Sequence, residues 1–186
     1  MSLARKLQYW RQVTSTGRPE AGEYAPFYAG YVARVTEDDI LGVLAAQKDE
    51  IGELARSLPE TKQSYRYAEG KWSIGEVLSH LIDGERVFGY RAFCFSRGEQ
   101  AALPGFDENA YVSASRAGDV PLVALADEFA AVRDANLSFL RRLGAEAWTR
   151  TGTASGKPVS VRALAWIMAG HPRHHLAVLR ERYGVA

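Results

Sequence analysis

Hydrophobic residues recur at alternating spacings of three and four in four separate stretches of the chain, the signature of a helix with one face turned inward. In the first stretch Ile40, Leu44, Gln47, Ile51, Leu54 and Leu58 keep a 4,3,4,3,4 register. Thr36 stands where an N-cap belongs, Glu37 to Asp39 supply acidic residues to the first turn, and Pro59 ends the run. The second opens at Ser73 with Glu76 three residues on, a capping box, and continues through Val77, Leu81, Phe88 and Phe95 to about Gly98. The third carries Leu122, Leu125, Phe129, Val132, Asn136, Phe139 and Leu143, with Gly144 as its C-terminal stop and Asn136 as the one polar residue on its seam. The fourth runs from about Val161 to Tyr183 on a seam of Val161, Leu164, Met168, His171, His175 and Val178.

No stretch of comparable length alternates with period two, so the pattern predicts an all-α fold, a four-helix bundle. The connectors are longer than a simple up-and-down bundle needs, and the longest is "GEQAALPGFDENAYVSASRAG" between the second and third helices. A second helix of about 24 residues is roughly 36 Å long. A connector of this size can run back along that length, so the second and third helices are expected to be parallel. Residues 36–186 then form the bundle. Residues 1–35, ending in the aromatic stretch "YAPFYAGYV", are expected to be an N-terminal extension that packs on the bundle or pairs with a neighbour.

Composition narrows the function classes. A chain of 186 residues, 47% of them hydrophobic, buries a full core as one domain. Lys and Arg number 23 against 22 Asp and Glu, with no basic stripe, which argues against nucleic acid and anionic membrane as partners and leaves a small-molecule substrate. The single cysteine, Cys94, excludes an internal disulfide and suits a reducing compartment, and no apolar run has the length of a signal peptide or a membrane span. A soluble, cytoplasmic protein is the expectation.

Three of the four histidines, His171, His174 and His175, fall within five residues. On a helix, His171 and His175 lie about 40° apart on the inward seam, while His174 lies to one side. An HxxxH pair can give two imidazole nitrogens to one divalent ion, and His80 is the histidine left to complete a set of three. Gly84, one turn after His80, removes bulk where a ligand or substrate could sit. Seam histidines that are simply hydrogen-bonded fit the spacing equally well, and Pro172 removes an amide donor inside the fourth helix. Other candidates also have two readings. Glu76, one turn before His80, could be a ligand or a base, but its capping box explains it sufficiently. Asp83 could orient an imidazole or serve as a general base, yet Asp83 and Glu85 could instead pair with Arg86. Asn136 could aim at the site or be satisfied locally. Arg91 and Arg133 could hold an anionic substrate or form surface salt bridges. Cys94 is expected to be packed, and the four tryptophans to serve the core and its ends.

The stretches "WSIGEVLSHLIDGERVFGYRAFCFSRG", "PGFDENAYV" and "GKPVSVRALAWIMAGHPRHHL" resemble the DinB-like superfamily, the DinB/YfiT-like metalloenzymes. The resemblance covers about residues 36–183 and is most specific around His80 and in the A-G-H-x-x-x-H-L that holds His171 and His175. It implies a four-helix bundle of up-down-down-up topology, often a homodimer, in which a histidine triad binds a divalent metal, usually nickel or zinc. By position that triad is His80, His171 and His175. It further implies chemistry like that of thiol S-transferases or hydrolases. In that reading the ion binds a water or a low-molecular-weight thiol and lowers its pKa, with Asp83 or a nearby acid taking the proton. The loop around Phe106, Asp107 and Tyr111 would form the rim of the pocket. A non-enzymatic stress-related or interaction protein on the same bundle is the alternative; its metal, if structural, would need a fourth protein ligand.

Overall fold

Each periodic segment is a helix because it can bury one apolar face, and three of the four start at a side chain that accepts an amide proton of the first turn. The computed structural model describes residues 17–185, so the part of the expected N-terminal extension over residues 1–16 lies outside the described residues. Among the described residues the helices are α1 (Ala29–Ala33), α2 (Ile40–Ser57), α3 (Ile74–Ser96), α4 (Glu108–Ala114), α5 (Leu122–Leu140), α6 (Ala145–Thr149) and α7 (Val161–Tyr183). A hairpin of β1 (Thr151–Ala154) and β2 (Lys157–Ser160) precedes α7. Helix α3 begins with the expected capping box: Ser73 Oγ accepts from the Glu76 amide, and the Glu76 carboxylate accepts from the Ser73 amide. Its C-terminus closes on Gly98, at φ 85°, with the Gly98 and Glu99 amides donating to Phe95 and Cys94 carbonyls.

Two helix ends differ from the sequence reading. Asp39, not Thr36, caps α2: its carboxylate accepts from the Gly42 amide at 3.0 Å, a stronger acceptor placed at the right offset, while Thr36 bonds to Glu37. Helix α5 stops at Leu140, and Gly144 caps the short α6 instead of stopping the third long helix. Leu143 is buried all the same, in the turn between them. The hairpin went unpredicted because each strand has only four residues. Its signal was the Ser155-Gly156 pair, at φ 53° and 72°, a two-residue turn of the kind that closes hairpins.

The long helices run up, down, down and up. Arg86 meets Glu128, Glu85 meets Arg133 and Phe93 meets Phe139, so α3 and α5 run parallel. Tyr183 donates to the Trp72 carbonyl while His171 meets His80, so α7 runs antiparallel to α3. The parallel pair requires the expected crossover, which carries α4 and is tied to the hairpin by a bridge from Leu103 to Ala154.

The apolar core is in two clusters, one including Leu44, Phe88, Leu137 and Leu164, the other including Ile51, Leu81, Phe129 and Leu176. Between them lies a polar layer. Arg133, completely buried, forms a bidentate ion pair with Glu85 and donates to Gln47 Oε1, the Leu44 carbonyl and the Met168 carbonyl. Asn136 donates to the Glu85 carboxylate and carbonyl, and Gln47 to the Ala169 carbonyl. One guanidinium thus joins all four long helices. Arg133 and Glu85 are neither a surface pair nor a substrate clamp, and Glu85 takes Arg133 as its partner and not Arg86. Burial of this kind is tolerated because every donor has an acceptor.

Candidate metal centre

The antiparallel packing of α3 on α7 brings His80 against His171 and His175. Glycine makes the approach possible: a Cβ at Gly84 would lie 2.7 Å from His171 Cε1. The space that the sequence suggested for a ligand is therefore filled by the His171 imidazole, although Gly84 still lines the adjoining cavity. Elsewhere on α7 the backbone of Tyr31 in α1 lies directly on Gly170, and the Tyr31 ring contacts both His171 and His174.

Pro172 sits inside α7 without ending it. Its missing amide would have bonded the Met168 carbonyl, four residues back. That carbonyl accepts from Arg133 at 3.1 Å, and the next one, of Ala169, accepts from Gln47 at 2.7 Å. The polar layer supplies what the proline withholds, so His171 and His175 stay one turn apart on one face.

The three ligating atoms lie within 4.8 Å of one another, and His80 Nε2 is 2.8 Å from His171 Nε2. Without an ion, one of these two nitrogens must carry a proton for the other to accept. His80 and His171 are buried and His175 is half-buried. Among the described residues, His80 Nδ1 and His175 Nε2 are buried with no hydrogen-bond partner. Leaving such atoms unpaired costs about 1–3 kcal/mol each, which is the opposite of what a merely structural cluster would select. Burial, with the neighbouring His174, pushes His80 down to about 4, and burial with His80 and His174 pushes His175 down to about 3. His171 is held well below the usual histidine range by burial and then by His175 and His80. All three are free bases at neutral pH, the form that binds a metal. Three neutral imidazoles, two of them with an orphaned nitrogen, fit a divalent ion, and at three protein ligands they leave coordination positions open.

Two cavities meet at this cluster, with His175 and Trp72 in the wall of both. One, of about 120 Å³, is aromatic: Phe27, Tyr28, Tyr31, Phe88 and Phe106 line it, with Glu108. The other, of about 270 Å³, is lined by Tyr67, Lys71, Asn109, His174 and Tyr183 among others. The expected rim is partly realised. Phe106 faces the aromatic cavity and Tyr111 packs on it, while Asp107 caps α4, accepting from the Asn109 and Ala110 amides. Trp72 packs against one core cluster and also meets the site: its ring centroid lies 4.7 Å from that of His80. Its place immediately before the Ser73 cap, eight residues from His80, was the available signal. His174 lies beside the triad with its ring against Tyr31 and His175, as a flanking residue.

The remaining candidates lie apart from the cluster. Asp83 is half-buried on α3 with its carboxyl pushed up by desolvation; Arg86 and Glu128 act on it, and it lines neither cavity. Glu76 forms an ion pair with Arg66 besides its capping role. Arg91 is buried and donates to the Pro104 carbonyl and Ser155 Oγ, fastening the crossover to the hairpin. Cys94 is half-buried against the core.

The fold is a four-helix bundle with a parallel central pair, and its inward-facing triad of imidazoles is compatible with a metal ion. Residues 43–179 match the DinB superfamily, and the chain belongs to it. Among solved structures it is similar to YfiT from Bacillus subtilis, described as a probable metal-dependent hydrolase with an unusual four-helix bundle topology. The TM-score is 0.72 at 18% identity, covering 93% of this chain and 100% of that one. At that identity the likeness shows a shared fold. No curated protein matches the sequence significantly.

Proposed function

We propose that this chain is a metal-dependent enzyme of hydrolase-like chemistry acting on a small molecule, with His80, His171 and His175 holding one divalent ion. The observation that carries the reading is the pair of orphaned buried imidazole nitrogens in a three-histidine cluster at the wall shared by two cavities. The description of YfiT as a metal-dependent hydrolase supports it. A divalent ion bound there supplies Lewis acidity, making a water or a thiol nucleophilic near neutral pH. The chain's own residues do the rest. The three imidazoles, uncharged and packed against Gly84, Trp72 and Tyr31, need no net loss of a proton to bind an ion. The aromatic cavity gives one side of the site apolar walls. Glu108, on its lining, is the carboxylate that would take up a proton there, whereas Asp83 lines neither cavity and lies within electrostatic reach of Arg86 and Glu128. Zinc and nickel both suit an all-imidazole set.

The test is elemental analysis of protein purified without a metal-affinity tag, followed by assay against a panel of esters, amides and thiol acceptors. About one ion per chain is expected, lost in His80→Ala, His171→Ala and His175→Ala and kept in His174→Ala, with turnover following the metal. A chain that takes up no divalent ion after reconstitution, or that needs His174 as much as His171, would sink the assignment.

A further inference from the structure

The two cavities differ in charge as well as in shape. In the aromatic one the single carboxylate on the lining is Glu108. Away from the three histidines, an anionic group entering there meets a like charge and aromatic walls. Its volume of about 120 Å³ is a little below that of the roughly 150 Å³ apolar cavity known to hold a benzene ring, so one ring or a short alkyl chain fills it. The other cavity has the opposite character. Lys71 lines it, exposed, and among the described residues its ammonium makes no ion pair. Gly70, Lys71, Trp72 and Asn109 also line an adjoining space of about 240 Å³, where Arg66 is already matched by Glu76. Lys71 is thus the uncompensated charge of a continuous polar groove that starts at His175.

We propose that the substrate is an amphiphilic small carboxylate: its apolar arm enters the aromatic cavity, its anionic arm extends along the groove to Lys71, and the group that reacts sits between them at the three histidines. The proposal rests on the reading of the cluster as a metal centre and adds to it the polarity and direction of what binds. Glu108 and Lys71 act together, one excluding the anionic arm from the wrong cavity and the other receiving it in the right one, so orientation is set by repulsion as well as attraction.

Zinc-loaded full-length protein is titrated by calorimetry with 2-sulfanyl-3-phenylpropanoate, whose thiol, phenyl and carboxylate match the three parts of the site. The uncharged amide of that compound and 2-sulfanylpropanoate, which lacks the phenyl, are compared with it. The carboxylate is expected to bind roughly fivefold more tightly than the amide, the scale of an exposed ion pair. That preference should vanish in Lys71→Ala and persist in Lys71→Arg. Loss of the phenyl should weaken binding roughly tenfold or more. Equal binding of carboxylate and amide would overturn the proposal, and so would a preference that survives in Lys71→Ala, because the carboxylate would then be chelating the zinc. Undiminished binding without the phenyl would overturn it as well. Zinc content measured before each titration separates the two readings: protein that holds no zinc refutes the metal centre itself, whereas zinc-loaded protein indifferent to the charge refutes the substrate class alone.

Discussion

A methyl group at position 84 would meet the His171 ring at 2.7 Å, and the ring has little room to yield, with Tyr31 and Phe88 packed against it. Gly84→Ala is therefore expected to leave the helix formed, since alanine is the better helix residue, and to turn His171 away from His80 and His175. Zinc affinity measured by competition with a chromophoric chelator should fall roughly 10- to 100-fold, the scale seen when groups that orient metal ligands are disturbed. Affinity equal to that of the parent protein would show that the imidazole does not depend on this contact. The histidines were legible as candidates because His171 and His175 fall one turn apart on the seam of the fourth helix and His80 was the histidine left to join them; the spacing alone fitted hydrogen-bonded core histidines equally well. Trp72 and Tyr31 were not, because each lies outside the periodic segments, and only the packing of neighbouring segments brings them to the rings.

Helix α7 keeps its line through Pro172 because Arg133 bonds the Met168 carbonyl that the proline leaves without a donor. Arg133→Met removes that bond and leaves Glu85 buried without its counter-charge, and should destabilise the protein by about 3–5 kcal/mol in denaturant titration. In a Pro172→Ala background the amide of residue 172 can satisfy Met168, so the same Arg133→Met change should cost less. The difference should be about 0.5–3 kcal/mol of coupling, and strict additivity of the two changes would refute the link. The four helices were readable from their 3,4 spacing, but the polar layer was not, although its signal was present. Glu85 fills the gap between Leu81 and Phe88 at spacings of four and three, and Arg133 does the same between Phe129 and Asn136. Val132 was the more apolar choice at that step of the third helix, yet it is only half-buried. Periodicity shows which positions turn inward; the pairing of Arg133 with Glu85 on another helix is set by register between helices, which a single sequence does not carry. The hairpin was hidden for a different reason: four-residue strands are too short for a period of two to stand out.

For the molecule as a whole, the depressed imidazoles set an acid limit. In the metal-free protein His80 and His175 titrate near about 4 and about 3, below the ordinary histidine value, so on acidification the unfolded chain takes up protons before the folded one does. Their contribution is complete above about pH 6.5 and is lost progressively as the pH falls from there through about 4 for His80 and about 3 for His175. Thermal unfolding should show Tm declining over this window, and the decline should shrink in His80→Ala. Saturating zinc should raise stability at pH 7 by about 2.7 kcal/mol at a free concentration a hundred times Kd, reversibly on chelation. The topology has a consequence of another kind. Because α3 and α5 run parallel, the chain must travel the length of the bundle outside it, and this obligatory return supplies Phe106, Glu108 and Asn109 to the two cavities. The helices hold the reactive centre, and the crossover provides part of what surrounds it. Descendants of such a chain could exchange one substrate for another by rewriting the crossover while the three imidazoles and the arginine layer beneath them stayed as they are.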